Sequence, residues 1–396
     1  MCPTAQRAQR DFAGLAGDVA GAIRFERFLR HGFDILPPAL QTRYAGLAEW
    51  KGIKSLKNSI CRLAKLESGL PVLLASRSAQ LMKLAAILLC RPCENILITD
   101  LGWPGYHRIL EGESRRAGRR VTTVNLRDEL LSGRVDENDV VARVHDEFVK
   151  NRCNGLFLPA VSNIGVRLPV QQINQAIERN CDVRFVVVDG AQDFCHVHSD
   201  LRSDCCDLYL AGCHKWLGAY QPLGLAFYGR RRSQGLIDTA LAESLKTRDL
   251  DDPLLRFVEQ HCLADVTPDD EETVNLASLF SCQGAVSEAI DANDRGADER
   301  DLATRQTNAQ TVAQLAVDSG WMPRLPHISL RTGVLLLQAE RQVTRHQTAD
   351  EIRSAFQKHA TALTAYHDGL IRLSMPASPL RSQEIELLRI AFERVA

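Results

Sequence analysis

The chain has 396 residues, 48 basic and 49 acidic side chains, and a formal net charge of −1. Charge so balanced and interspersed leaves no electrostatic footprint for nucleic acid or an anionic membrane, and no run approaches the roughly 20 apolar residues of a membrane span. The length suits one large and one small domain. The N-terminal stretch lacks an apolar signal core, so a cytoplasmic protein is expected. The twelve cysteines follow no framework spacing and read as reduced thiols.

Residues 1–45 read as helical, with a break before the turn-prone Leu36-Pro37-Pro38. Residues 49–67 show helical periodicity. Val72-Leu73-Leu74-Ala75 is a short strand, followed by Ser76-Arg77-Ser78 and an apolar-periodic helix over 79–89. A strand, a small hydroxyl turn and a helix start form an anion site, because free N–H groups point outward and the helix dipole favours negative charge. Serine there is equally a plain helix cap. Cys90-Arg91-Pro92-Cys93 has redox or zinc spacing, but no second pair accompanies it, and a helix end explains it more simply.

Asn95-Ile96-Leu97-Ile98-Thr99-Asp100 is the next strand, running into Gly102-Trp103-Pro104-Gly105-Tyr106-His107. Residues 121–126 read as a strand and residues 137–151 as a helix. Leu156-Phe157-Leu158-Pro159 is a strand followed by the turn Ser162-Asn163-Ile164-Gly165.

The stretch with the most chemistry comes next. Phe185-Val186-Val187-Val188 is a β-branched run suited to a strand buried on both faces, and it ends in Asp189-Gly190-Ala191-Gln192. A second run, Leu208-Tyr209-Leu210-Ala211, ends in Gly212-Cys213-His214-Lys215. Ligands of open α/β sheets sit outside the carboxyl ends of strands, so a carboxylate, an amide, an imidazole and an amine fall where a ligand is held. A buried lysine loses part of its preference for the charged form. Its neutral amine then condenses with an aldehyde as a Schiff base. A carboxylate at the neighbouring strand end keeps a pyridine nitrogen protonated, which makes the ring an electron sink. Cys195-His196-Val197-His198 with Cys205-Cys206 can be drawn as a zinc site, but the spacing fixes no geometry, and no metal is expected.

An acidic loop over 265–272 leads to Thr273 and a further helix. A long helical run over 298–318 leads to a C-terminal domain that reads strand, helix, strand, helix, at residues 333–337, 348–360, 369–374 and 382–395. The expected fold is α/β. A large domain over 45–290 carries a mostly parallel sheet, a smaller α+β domain spans 291–396, and the helical segment 1–44 packs with the small domain.

The series Asp189-Gly190-Ala191-Gln192, then Gly212-Cys213-His214-Lys215-Trp216-Leu217-Gly218, then the glycine-containing strand Pro222-Leu223-Gly224-Leu225-Ala226-Phe227-Tyr228 resembles the class V family of pyridoxal-phosphate (PLP) enzymes. That group holds cysteine desulfurases, phosphoserine and alanine–glyoxylate aminotransferases, and kynureninases. The resemblance implies fold type I, the aspartate aminotransferase-like fold, with PLP as cofactor and a homodimer with the site at its interface. It implies that Lys215 forms the Schiff base, Asp189 pairs with the pyridinium nitrogen, Gln192 bonds the ring hydroxyl and His214 bonds the phosphate. Ser76 and Ser78 take the part of the family's Gly-x-Thr phosphate segment. Trp103, with Tyr106 as second choice, lies over the pyridine face. Asn163 bonds the cofactor hydroxyl or the substrate, and Thr273 reaches the partner's phosphate. Arg372, in Ile371-Arg372-Leu373-Ser374, clamps the substrate carboxylate, and His31, beside Gly32, contacts substrate. The chain departs from the pattern at Gly212, where the family often has a serine, and at Glu272, where it has a glycine.

The implied activity is chemistry at the Cα of an amino-acid substrate, a small molecule, with transamination placed first and a C–S or C–C lyase or an epimerase second. No cysteine follows Cys282, which argues against a desulfurase with a resident persulfide. A non-catalytic binder of the same fold is the non-enzyme reading, and it gives no reason for an amine at position 215.

Overall fold

A computed structural model of the chain describes residues 2–18, 25–197, 201, 205–262 and 274–395. Its larger sheet has seven strands: β1 (Val72–Ala75), β2 (Asn95–Thr99), β3 (Arg120–Val124), β4 (Gly155–Pro159), β5 (Phe185–Asp189), β6 (Leu208–Gly212) and β7 (Gly224–Tyr228). Their spatial order is β1-β7-β6-β5-β4-β2-β3. All neighbours run parallel except β7, which is antiparallel to both β6 and β1.

Helices cover both faces, so β1, β4, β5, β6 and β7 are buried along their whole length, while only the edge strand β3 is largely open to solvent. Alternation still decides which core each side chain enters. Val186 and Val188 of β5 join one cluster, and Phe185 and Val187 join the other. Tyr209 and Ala211 of β6 likewise part from Leu208 and Leu210.

The smaller sheet is antiparallel, in the order β10-β11-β9-β8. It is built from β8 (Trp321–Pro323), β9 (Val334–Ala339), β10 (Thr364–Ala365) and β11 (Leu370–Ser374). Trp321, Phe356 and Phe392 pack edge-on and tilted in the core between this sheet and its helices, with ring centroids 5.6–6.1 Å apart. The helix Ala349–Gln357 starts at a capping box in which Thr348 and Glu351 satisfy each other's backbone N–H groups.

The N-terminal segment corrects the sequence expectation. Its helix Pro3–Ala16 lies on the helix Ala277–Asp294, with Phe12 stacked on Phe280 at 4.0 Å. Phe28 and Trp50 close on the same ring at 5.7 and 4.4 Å. None of these residues enters the small-domain core. Gly284 permits the close approach, because a Cβ there would meet Ala5 Cα at 2.8 Å.

Candidate active site

The topology gathers chain ends at one edge of the large sheet. β2, β4, β5 and β6 all finish there, and antiparallel β7 begins there, Gly212 pairing with Gly224. β1 finishes at the same edge, with Ala75 opposite Gly224. A cavity of about 540 Å³ opens at this edge. It is lined from the strand ends by Ser78, Trp103, Tyr106, Asn163, Asp189, Gln192, His214 and Lys215. From the small domain come Thr364, Tyr366 and Arg372.

Asp189 is the last residue of β5 and is 6 % exposed. Burial raises its carboxyl to about 6, although the Ala191 N–H it accepts at 2.9 Å and the Lys215 charge pull it down. Lys215 opens to the cavity three residues past β6, in a turn closed by the Ala219 N–H donating to the Cys213 carbonyl at 3.0 Å. Surrounding protein lowers its amine below the usual lysine range; Asp189 opposes that shift and Arg372 adds to it. His214 is lowered too, by burial and then by Lys215.

Gln192 is held at both ends. Its side-chain Oε1 accepts from Trp216 Nε1 at 2.9 Å, and its backbone carbonyl lies 2.8 Å from His196 Nδ1. Asn163 sits at the tip of the turn after β4, which Ser162 closes by accepting the Val166 N–H at 2.9 Å. The Asn163 carbonyl accepts from Arg372 Nη1 at 2.6 Å and from the Tyr366 hydroxyl at 3.4 Å. Asn163 Oδ1 and Arg372 Nε are buried without a hydrogen-bond partner among the described residues. Ser78 opens the helix Ser78–Cys90. It is pressed onto Gly224, where a Cβ would meet its backbone N at 2.6 Å.

Ser76 stands apart from the cavity. Its amide and hydroxyl both donate to Asp252, the hydroxyl at 3.0 Å, so neither is free for an anion. His31 is exposed at the end of the helix Phe25–His31 and is not on the cavity wall. Thr273 lies outside the described residues. Sequence reasoning gave Tyr366, Thr364, Trp216 and His196 no role at this cavity. Tyr366 and Thr364 belong to a two-residue strand and its turn, too short to show a period. Trp216 and His196 flank recognised motifs and become meaningful only through the contacts they make. Among the described residues no group of three His, Cys, Asp or Glu side chains gathers as metal ligands.

Residues 53–238 match the family model described as aminotransferase class-V. A cysteine desulfurase of Wigglesworthia glossinidia brevipalpis is 27% identical over 141 residues, covering 35% of this chain and 32% of that protein, so the match spans about a third of that relative's length. Among solved structures, a C-DES lysine-to-alanine mutant with glycine covalently linked to its PLP cofactor aligns at TM-score 0.68 and 13% identity, over 99% of this chain and 93% of that one. Alanine–glyoxylate aminotransferase from Nostoc sp. aligns at TM-score 0.64 and 14% identity, over 87% and 86% of the two chains. Ureidoglycine–glyoxylate aminotransferase from Bacillus subtilis aligns at TM-score 0.63 and 13% identity, over 87% and 84%. These likenesses are of fold.

Proposed function

We propose that this chain, whose residues 53–238 match the aminotransferase class-V family model, is a PLP-dependent enzyme acting at the Cα of an amino-acid substrate. The observation that carries the reading is the meeting of Asp189, Gln192, Lys215 and Arg372 around one cavity, although they come from the ends of β5 and β6 and from the middle of β11, in two domains.

The cavity's chemistry fits the cofactor. Asp189 is a buried carboxyl with no cationic hydrogen-bond partner among the described residues, and a protonated ring nitrogen would supply one. Asn163 Oδ1 is a buried acceptor in want of a donor. Lys215 would hold the aldehyde, Asp189 the ring nitrogen, Gln192 the ring oxygen, and Ser78 with His214 the phosphate. Trp103 would cover the ring face. When bound, the cofactor supplies an electron sink for the pair left at the substrate Cα.

The chain's own residues supply the rest. Lys215 Nζ, lowered by burial, takes the Cα proton as general base and returns it as general acid. Asp189 stabilises positive charge beside it. Arg372 presents a planar fork to the substrate carboxylate, already oriented by its bond to the Asn163 carbonyl. A homodimer with the site at its interface belongs to the same proposal.

Within this reading the reaction is transamination. No cysteine lines the cavity among the described residues, and none follows Cys282, so a persulfide-bearing nucleophile has no evident place. The local match to a cysteine desulfurase favours a C–S lyase as the second reading. The test is to add candidate amino acids in turn to the PLP-loaded protein and follow its visible spectrum and products. Transamination accumulates pyridoxamine phosphate, whereas elimination from a suitable donor such as cysteine releases sulfide, pyruvate and ammonia. A protein that takes up no PLP sinks both readings.

A further inference from the structure

Behind the cavity wall, three side chains form a stack that none of the roles above uses. The Trp216 ring lies 3.6 Å from the His196 ring at an interplanar angle of 12°, and the Arg305 guanidinium covers the Trp216 ring at 4.7 Å. The stack joins the two domains. His196 Nε2 accepts the Gly333 N–H at 3.0 Å, so its proton sits on Nδ1 and is donated to the Gln192 carbonyl. Arg305 Nη1 donates to the Met375 carbonyl at 2.7 Å, one residue past the strand that carries Arg372. Met375 in turn donates its N–H to the Gly333 carbonyl at 2.8 Å.

The stack has a direct consequence at Gln192. A primary amide has one acceptor end and one donor end. Trp216 Nε1 is a donor only, and it occupies Gln192 Oε1. The amide therefore turns its NH2 group away from Trp216. We propose that Trp216 is a positioning residue: it fixes Gln192 as a hydrogen-bond donor towards an anionic oxygen of the ligand. In the same proposal, His196 and Arg305 tie that orientation to the seating of the small domain and so to Arg372. This rests on the PLP reading, since the oxygen in question is that of the cofactor ring.

A donor on that oxygen withdraws charge from it and weakens its hold on the neighbouring proton of the chromophore. Removing the donor leaves the chromophore protonated to higher pH. The test uses the PLP-loaded full chain with Trp216→Phe, which keeps an aromatic ring in the stack and deletes only the N–H, alongside Gln192→Ala and the double variant. The expected result is a rise of about one unit in the pH midpoint of the visible spectrum in each single variant, the value of one charge-assisted hydrogen bond. The double variant should rise no further than Gln192→Ala alone, because both act through one bond. Arg305→Met is the second probe, usable if Trp216→Phe fails to fold, and should move the midpoint in the same direction by less. A purely structural role predicts a lower melting temperature with an unmoved midpoint, and that outcome overturns the proposal. Wild-type protein with no PLP band would instead mean that the underlying reading had failed.

Discussion

Asp189 and Lys215 stand at the ends of two paired strands, β5 and β6, and each opposes what burial does to the other. Desolvation pushes the carboxyl up and the amine down, towards two neutral groups, while their mutual attraction works against both shifts. A site of this kind is poised between protonation states, which proton transfer near neutral pH requires.

The apoprotein should be less stable for holding Asp189. Its carboxyl rises from the ordinary 3.8 to about 6, so the folded state binds more protons than the unfolded state between those values. Stability therefore falls as pH rises through that window and stays lower above it, by about 3 kcal/mol. Asp189→Asn should abolish this component and make the apoprotein more stable than wild type at pH 7.5. Urea unfolding of both proteins at pH 4 and 7.5 measures it, and parallel pH dependence would show that the carboxyl contributes nothing.

Lys215 carries the covalent and the proton-transfer roles together. Borohydride reduction of the PLP-loaded protein should fix the cofactor on the peptide containing residue 215. Lys215→Ala should leave the fold intact, because the side chain opens to the cavity, and should lower turnover by a factor of about 10² to 10⁴ or more. Label recovered on another lysine would falsify the assignment.

Arg372 separates charge from geometry. Arg372→Lys keeps the charge and loses the fork. Both it and Arg372→Ala should lower kcat/KM, the alanine variant by roughly 10- to 100-fold, as expected for about 1.5–3 kcal/mol of charge-assisted hydrogen bonding. The readout is steady-state kinetics with an amino acid against the corresponding decarboxylated amine. If the arginine reads the carboxylate, its removal lowers the rate with the acid far more than with the amine.

Much of the large domain was legible because its strands are short apolar runs closed by polar residues, and that pattern survives in one dimension. Phe185–Asp189 and Leu208–Gly212 fall where the run of β-branched and apolar residues puts them. The motif residues Asp189, Gln192, His214 and Lys215 lie around one cavity, since strand ends of a parallel sheet share one edge. What failed depended on packing. Ser76 looked like an anion ligand until Asp252, 176 residues away, took its N–H and its hydroxyl. The first helix was assigned to the small domain because nothing in its own sequence says that Phe12 stacks on Phe280. Strand β8 was invisible, being only Trp321–Pro323 and held in place by its neighbour.

Phe280 tests that corrected docking. Its ring meets Phe12, Phe28 and Trp50, and it is 1 % exposed. Phe280→Ala should cost about 3–5 kcal/mol and should make the segment before residue 50 the first site of limited proteolysis. An unchanged cleavage pattern would place the anchor elsewhere.

Trp103 and Tyr106 compete for the ring-facing role, and their burial tells them apart. They meet edge to face with centroids 5.1 Å apart, yet Trp103 is 50 % exposed and Tyr106 only 3 %. A half-exposed indole on a cavity wall contributes little to the core, so Trp103→Ala should leave the melting temperature within about 2 °C. Its loss of stacking, about 0.5–1.5 kcal/mol, should weaken PLP retention by roughly 3- to 10-fold, and Trp103→Phe should restore most of it. Tyr106→Ala should behave the opposite way, lowering stability by several kcal/mol through the cavity it leaves. Cofactor dissociation followed by absorbance, beside thermal unfolding of the same variants, separates the two. If Trp103→Ala retains PLP as wild type does, Tyr106 takes over the ring face and the second choice becomes the first.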